Sequence, residues 1–253
     1  MTFRYLKAMC LFCFLVLTFP AFALDTNTII ITGNADKPPK IWLENQQPKG
    51  ILVDILQYAE QRMAGYNYQI HLLPWKRAYQ ASLTGQQGIV GISKTNERLS
   101  LFNYSVPLYY DEIILVTAKN NSFAFNKQED LTGKRIGICR GCSFGEEYEK
   151  AKKFFTVVED NDNNQRLRML LKGRIDAAII NPGEHALNMI VDNDEFLSQH
   201  KDQFVVLEKR LDLDPNYLAF SKNVDNQAFI EAFNQVIKSG YKRGDIQRII
   251  ERY

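Results

Sequence analysis

Apolar runs and apolar stripes alternate along the chain with polar breaks, and they predict strands and helices in turn. Thr28 to Thr32 (TIIIT) is β-branched and apolar and ends at Gly33-Asn34, as a strand does. Gly50 then introduces a helix with Leu52, Ile55, Leu56, Ala59 and Met63 on one face. Tyr68 to Leu73 alternates as a second strand, Pro74-Trp75 opens a helix through Leu83, and Ile89 to Ile92 is a compact buried strand. Ile113 to Thr117 is another. Between the first strand and first helix, Ala35 to Lys49 carries Pro38, Pro39 and Pro48 and reads as a loop.

The pattern restarts at Leu131-Thr132-Gly133, which predicts a second lobe. Its strands fall at Ile136 to Ile138, Thr156 to Val158, Ala177 to Ile180 and Phe204 to Leu207. Its helices fall at Gly145 to Phe154, Asn164 to Lys172 and Gly183 to Asp192. The tail returns through the strand Asn216 to Phe220 into two helices, striped by Phe229, Phe233, Val236 and Ile237 and by Ile246, Ile249, Ile250 and Tyr253. Strands alternating with helices imply an α/β chain with a mainly parallel sheet.

Composition adds a destination. Residues 1–23 carry Arg4 and Lys7, an apolar run from Ala8 to Phe19 and the small-x-small pattern Ala21-Phe22-Ala23, the layout of a cleaved secretory signal peptide. Removing those 23 of 253 residues lowers Lys+Arg from 31 to 29, equal to the 29 Asp+Glu, so the remainder is formally neutral. A neutral, mixed surface argues against nucleic acid as a partner. Cys139 and Cys142 form a C-x-x-C in a chain expected in an oxidising compartment, and a structural disulfide pinning their turn is preferred over free thiols and over a redox or metal role.

Candidate chemistry centres on Gly91 to Tyr110. An apolar strand there breaks into Ser93-Lys94-Thr95-Asn96-Glu97-Arg98, at the kind of strand end where open α/β sheets place ligands. Arg98 offers a planar fork suited to a carboxylate and Ser93 a hydroxyl beside it. A Thr followed three residues later by an Arg is also how a solvated helix begins. The order Gly91-x-Ser93-x-Thr95-x-Glu97-Arg98, then Phe102 and Tyr104-Ser105-x-Pro107-x-Tyr109, resembles the signature of the family 3 extracellular solute-binding proteins, the amino-acid receptors of ABC importers; Gly50-x-x-Val53-Asp54 and Gly173-Arg174-x-Asp176-Ala177 resemble it again. The resemblance spans residues 28–253.

That resemblance implies a two-lobed periplasmic-binding-protein-like (type II) α/β fold with a hinge of two crossover strands. Residues 24–115 plus 217–253 would form lobe 1, and 116–216 lobe 2. It implies that Gly141 and Ser143 touch the ligand carboxylate, Ser143 also being readable as a helix N-cap. Trp75 would stand against the ligand or in the core, and Trp42 would cover the ligand where Lys37 replaces the usual aromatic. Asn181 stands where a carboxylate usually meets the ligand's ammonium, and Glu184 is a possible substitute. Asp54 reads as helix-end electrostatics, Asp176 as a brace, and Arg77 as leaning to solvent. The function implied is periplasmic capture of a small carboxylate-bearing solute, an amino acid or relative, by a monomer that delivers it to a membrane ABC permease. No cofactor, metal or catalytic residue is expected. A dehydratase-like enzyme on the same scaffold is the alternative, but His71, His185 and His200 are scattered and adjoin no nucleophile.

Overall fold

The structure, a computed structural model, describes residues 27–253; the expected signal peptide lies outside them. The chain runs β1 (Asn27–Asn34), β2 (Asp36–Lys37), β3 (Ile41–Glu44), β4 (Gln47–Lys49), α1 (Ile51–Glu60), β5 (Tyr66–Leu73), α2 (Trp75–Leu83), β6 (Gly88–Ile92), α3 (Asn96–Leu101), β7 (Phe102–Tyr104) and β8 (Tyr109–Ala118). It continues through β9 (Arg135–Cys139), α4 (Glu146–Ala151), β10 (Thr156–Asp160), α5 (Asn163–Leu171), β11 (Ala177–Ile180), α6 (Gly183–Asp192), α7 (Glu195–Ser198) and β12 (Phe204–Val206). Last come β13 (Asp212–Ser221), α8 (Gln227–Lys242) and α9 (Asp245–Ile250).

Two strands hold this order together. In the first lobe β5, β1 and β6 are parallel, and the far half of β13 (Tyr217 to Ser221) closes their edge antiparallel. In the second lobe β10, β9 and β11 are parallel, closed by the far half of β8 through its antiparallel pairing with β11 and β12. The near halves of β8 and β13 pair with each other, Tyr109 to Ile113 against Asn216 to Asp212. The result is two lobes and a two-strand hinge, as expected. Each lobe has its own core. Ile31, Leu52, Leu56, Val90, Leu218 and Phe233 are among the residues that fill the first; Ile113, Leu115, Ile136, Tyr148 and Ile179 lie on one face of the second sheet, and Val116, Leu167, Ala178 and Ile190 on the other.

Three local outcomes differ from the pattern reading. The proline-bearing stretch after β1 is a small antiparallel sheet of β2, β3 and β4, with Asn45 and Gln46 at φ 50° and 64° making the two-residue turn. The polar turn at residues 93–98 closes into the short helix α3, whose N-cap Thr95 accepts the Arg98 N–H at 3.2 Å. Both crossover strands run longer than their apolar stretches, because Asp111 and Asp214 interrupt the apolar pattern in the paired part. Cys139 and Cys142 are disulfide-bonded, with Cα atoms 5.4 Å apart. Among the described residues no helix is long and apolar enough to cross a membrane.

Candidate functional site

The carboxyl ends of the parallel strands in both lobes converge on one cleft, which is where such sheets leave backbone groups and short turns available. Asn34 to Lys37 follow β1, Trp75 follows β5 and Ser93 follows β6. From the second lobe Gly141 to Ser143 follow β9, Asn163 follows β10 and Asn181 follows β11. The cleft holds cavities of about 450, 30 and 360 Å³. The lobes touch across it: the Trp75 indole N–H donates to Gly141 O at 2.9 Å, the Lys37 ammonium to Asn181 Oδ1 at 3.1 Å, and the Asn163 amide to Asp36 O at 3.3 Å.

Arg98 lines the 360 Å³ cavity and is only 5% exposed. Its guanidinium lies over the Tyr79 and Trp75 rings, 5.2 and 5.6 Å from their centroids, and donates to Ser93 O at 3.3 Å. Among the described residues no carboxylate pairs with it. So the helix-start reading of this turn holds for the backbone, while the side chain is buried in the cleft. Across the cavity Ser143 Oγ donates to Glu149 Oε1 at 2.6 Å, and Gly141, at φ 70°, turns its N–H to Glu159 Oε1 at 2.9 Å. Ser143 is not the N-cap of α4; Gly145 holds that position.

The 30 Å³ central cavity carries a denser polar set than the sequence announced. Lys37, Lys40, Ser93, Asp111, Asn181 and Asp214 all line it, and none is more than 4% exposed. Lys40 pairs with Asp111 Oδ2 and donates to Asn216 Oδ1 at 3.0 Å; Asn181 Nδ2 donates to the same Asp111 oxygen at 2.7 Å. Ser93 Oγ bonds Asp214 Oδ2 and lies 3.3 Å from Ser143 O. Burial, with the Asp111 charge nearby, pushes the Asp214 carboxyl up to about 7 against the Ser93 bond. Burial and the Arg166 charge bring the Lys37 amine down to about 7.

Six of the seven residues singled out, Arg98, Ser93, Ser143, Gly141, Asn181 and Trp75, thus meet in the cleft. Trp42 does not: it packs edge-on to Tyr253 with centroids 6.1 Å apart and lines none of the three cavities. Glu184 is exposed and lines a separate outer depression of lobe 2. Asp54 receives Arg252 and Tyr253, Asp176 braces Arg135, and Arg77 is exposed. Lys40, Asp111 and Asp214 were not anticipated. For the two aspartates the signal in the sequence is a charge in a stretch that pairs as strand, at YYDEIILV and at LDLDPNY; Lys40, in a proline-bearing loop, gives none.

Solved structures share this architecture. The P235GK mutant of ArgBP from T. maritima superposes with a TM-score of 0.72 at 22% identity over 89% of this chain and 94% of that one. A histidine kinase sensor domain with similarity to periplasmic binding proteins gives 0.74 at 19% identity over 90% and 96%. In sequence, the L-cystine-binding protein TcyJ of Escherichia coli (strain K12) is 23% identical over 202 residues, 78% of this chain and 72% of that protein. The profile of the bacterial extracellular solute-binding proteins, family 3, matches residues 29–253, and with its two lobes, crossover hinge and shared cleft the chain belongs to that family.

Proposed function

We propose that this protein captures a small carboxylate-bearing solute, an amino acid or a relative, in the periplasm and hands it to a membrane ABC importer. One observation carries the reading. Arg98 is a buried guanidinium on the cleft wall with no carboxylate partner among the described residues, and an anion placed on its fork would complete it. Ser93 beside it, and Ser143 with Gly141 opposite, would turn to the same anion on giving up their present bonds to Asp214, Glu149 and Glu159. The central cavity, at about 30 Å³, holds about a water molecule rather than an amino acid. The lobes therefore part about β8 and β13 to admit the solute, with lobe 1 as 24–115 plus 217–253 and lobe 2 as 116–216.

A relative named as an L-cystine-binding protein, and a solved amino acid ABC transporter substrate-binding protein bound to L-arginine, support an amino-acid ligand and an importer as partner. Membership of a solute-binding family favours a binding protein over the dehydratase-like enzyme. Export through a cleaved signal peptide, a monomeric state and independence of nucleic acid belong to the same reading. The test is a panel of amino acids, dicarboxylates and small peptides scored by melting shift. At least one should raise Tm by several degrees at millimolar concentration, since binding to the native state stabilises by RT ln(1 + [L]/Kd). A panel without any shift contradicts the reading.

A further inference from the structure

Two buried cations in the cleft have no carboxylate of their own among the described residues. Arg98, at the 360 Å³ cavity, is one. Lys37 is the other: it is 4% exposed, lines both the 450 and the 30 Å³ cavities, and makes no ion pair among the described residues. Its ammonium carries three donors and meets only the neutral Asn181 Oδ1, at 3.1 Å. The acids around it are committed elsewhere. Asp160 grips Arg166 through both oxygens, and Asp36 is exposed and accepts from the Asn163 N–H at 3.5 Å. Asp111 holds Lys40 and Asn181 on one oxygen; its other oxygen has no partner, but Lys40 already balances the charge. Asp214 bonds Ser93 and, with its carboxyl raised to about 7, carries little charge below that pH. The 30 Å³ cavity shares Lys37 and Trp75 with the 450 Å³ cavity, and Cys142 and Ser143 with the 360 Å³ cavity. The three therefore adjoin, Lys37 serving the first and Arg98 the last.

We propose that Lys37 receives a second carboxylate of the solute, so that the cleft selects dicarboxylates over monocarboxylates of the same length. This rests on the carboxylate-capturing reading above and deepens it from one anionic group to two; an amine is no part of it. A cation taken out of water is costly until a counter-charge meets it. One carboxylate on Arg98 leaves that cost standing at Lys37, whereas a solute with a carboxylate at each end removes both. Lys37 comes from lobe 1 and bonds Asn181 in lobe 2, so charge recognition at this position is tied to closure.

Protonation follows the same logic. Burial and the Arg166 charge, with Lys40 adding and Asp36 and Asp160 opposing, hold the Lys37 amine down to about 7. A carboxylate beside the amine favours its charged form. A dicarboxylate should therefore bind with proton uptake, and its advantage over a monocarboxylate should shrink as pH climbs from 6 to 8. Asp214 titrates over the same range, but from its place beside Ser93 it acts alike on both kinds of solute, and a ratio of affinities cancels it.

The experiment is isothermal titration at pH 6 of diacids paired with their mono-amides: succinate and succinamate, glutarate and glutaramate, L-aspartate and L-asparagine, L-glutamate and L-glutamine. L-arginine is the monocarboxylate control. The tightest compound should be a diacid, held roughly tenfold or more over its amide. Lys37→Gln should bring that ratio to within about threefold. Should Lys37→Gln fail to fold, the wild-type ratio decides: it should fall between pH 6 and pH 8, and a constant ratio overturns the assignment. Equal or tighter binding of an amide, tighter binding of L-arginine than of any diacid, or a ratio that survives Lys37→Gln overturns it as well, while leaving the carboxylate reading intact. Absence of binding by every compound contradicts that underlying reading and the assignment with it.

Discussion

Arg166 shows what the interior of the second lobe asks of a single residue. It is fully buried on α5, grips Asp160 through Nε and Nη2 at 2.7 and 2.8 Å, and spends Nη1 on Ile179 O and Asn163 Oδ1. Removing one partner of such a pair strands a charge in the core. Asp160→Asn should therefore cost roughly 3–5 kcal/mol in urea unfolding, and a loss under 1 kcal/mol would contradict this reading of the pair. Asp214 is the opposite case, a carboxyl that prefers its proton. Its ordinary value of 3.8 is raised to about 7 in the folded chain, so its stabilising contribution is complete below pH 4 and disappears as pH rises through 7. Asp214→Asn should gain on the wild type by roughly 1–3 kcal/mol between pH 5 and pH 8; a difference independent of pH would contradict it. At this scale Arg98, Ser93 and Trp75 were legible because each follows an apolar strand. Lys37 was noted only as standing in place of the usual aromatic and Lys40 not at all, since a Lys in a proline-bearing loop gives no sign of burial.

Elements with a strong period stand almost where their patterns put them. Helix α2 runs Trp75–Leu83 and α6 Gly183–Asp192, and strand β11 is Ala177–Ile180, as read from spacing alone. Short or polar elements escaped: α3 has six residues and owes its existence to the Thr95 cap, and the β3–β4 hairpin to two residues at positive φ. The turn between β9 and α4 is fixed by the Cys139–Cys142 disulfide and by the Arg140 and Gly141 N–H bonds to Asp160 O and Glu159. A ring closed over so few residues constrains the unfolded chain only modestly, by about 2 kcal/mol on the loop-entropy relation. Reduction should lower stability by about that amount and weaken solute binding further, because the turn lines the cleft. Unchanged affinity after reduction, checked by titration with and without dithiothreitol, would show the turn to be held by its hydrogen bonds alone.

The molecule as a whole is two sheets sharing two long strands, and the proposed capture of a solute depends on how easily they flex. The alternation of strands and helices, and the restart at Leu131, made both lobes legible; the way they meet was not, because cross-lobe bonds join residues far apart in the chain. Trp75 to Gly141 is one such bond. Trp75→Phe keeps an aromatic ring but deletes the donor, and a bond of this kind contributes about 0.5–1.5 kcal/mol. The solute-free protein should then open more often, with a larger radius of gyration in small-angle scattering; an unchanged radius would mean that Lys37, Asn163 and their partners hold closure without it. The most direct test of the account is the dissociation constant of the tightest compound in the panel for wild type and Arg98→Ala. Loss of the buried fork should weaken binding by roughly 100-fold or more, in line with about 3 kcal/mol for a charge-assisted pair, while the solute-free circular dichroism stays the same. Affinity within about threefold of wild type would contradict the claim that Arg98 holds the solute's carboxylate.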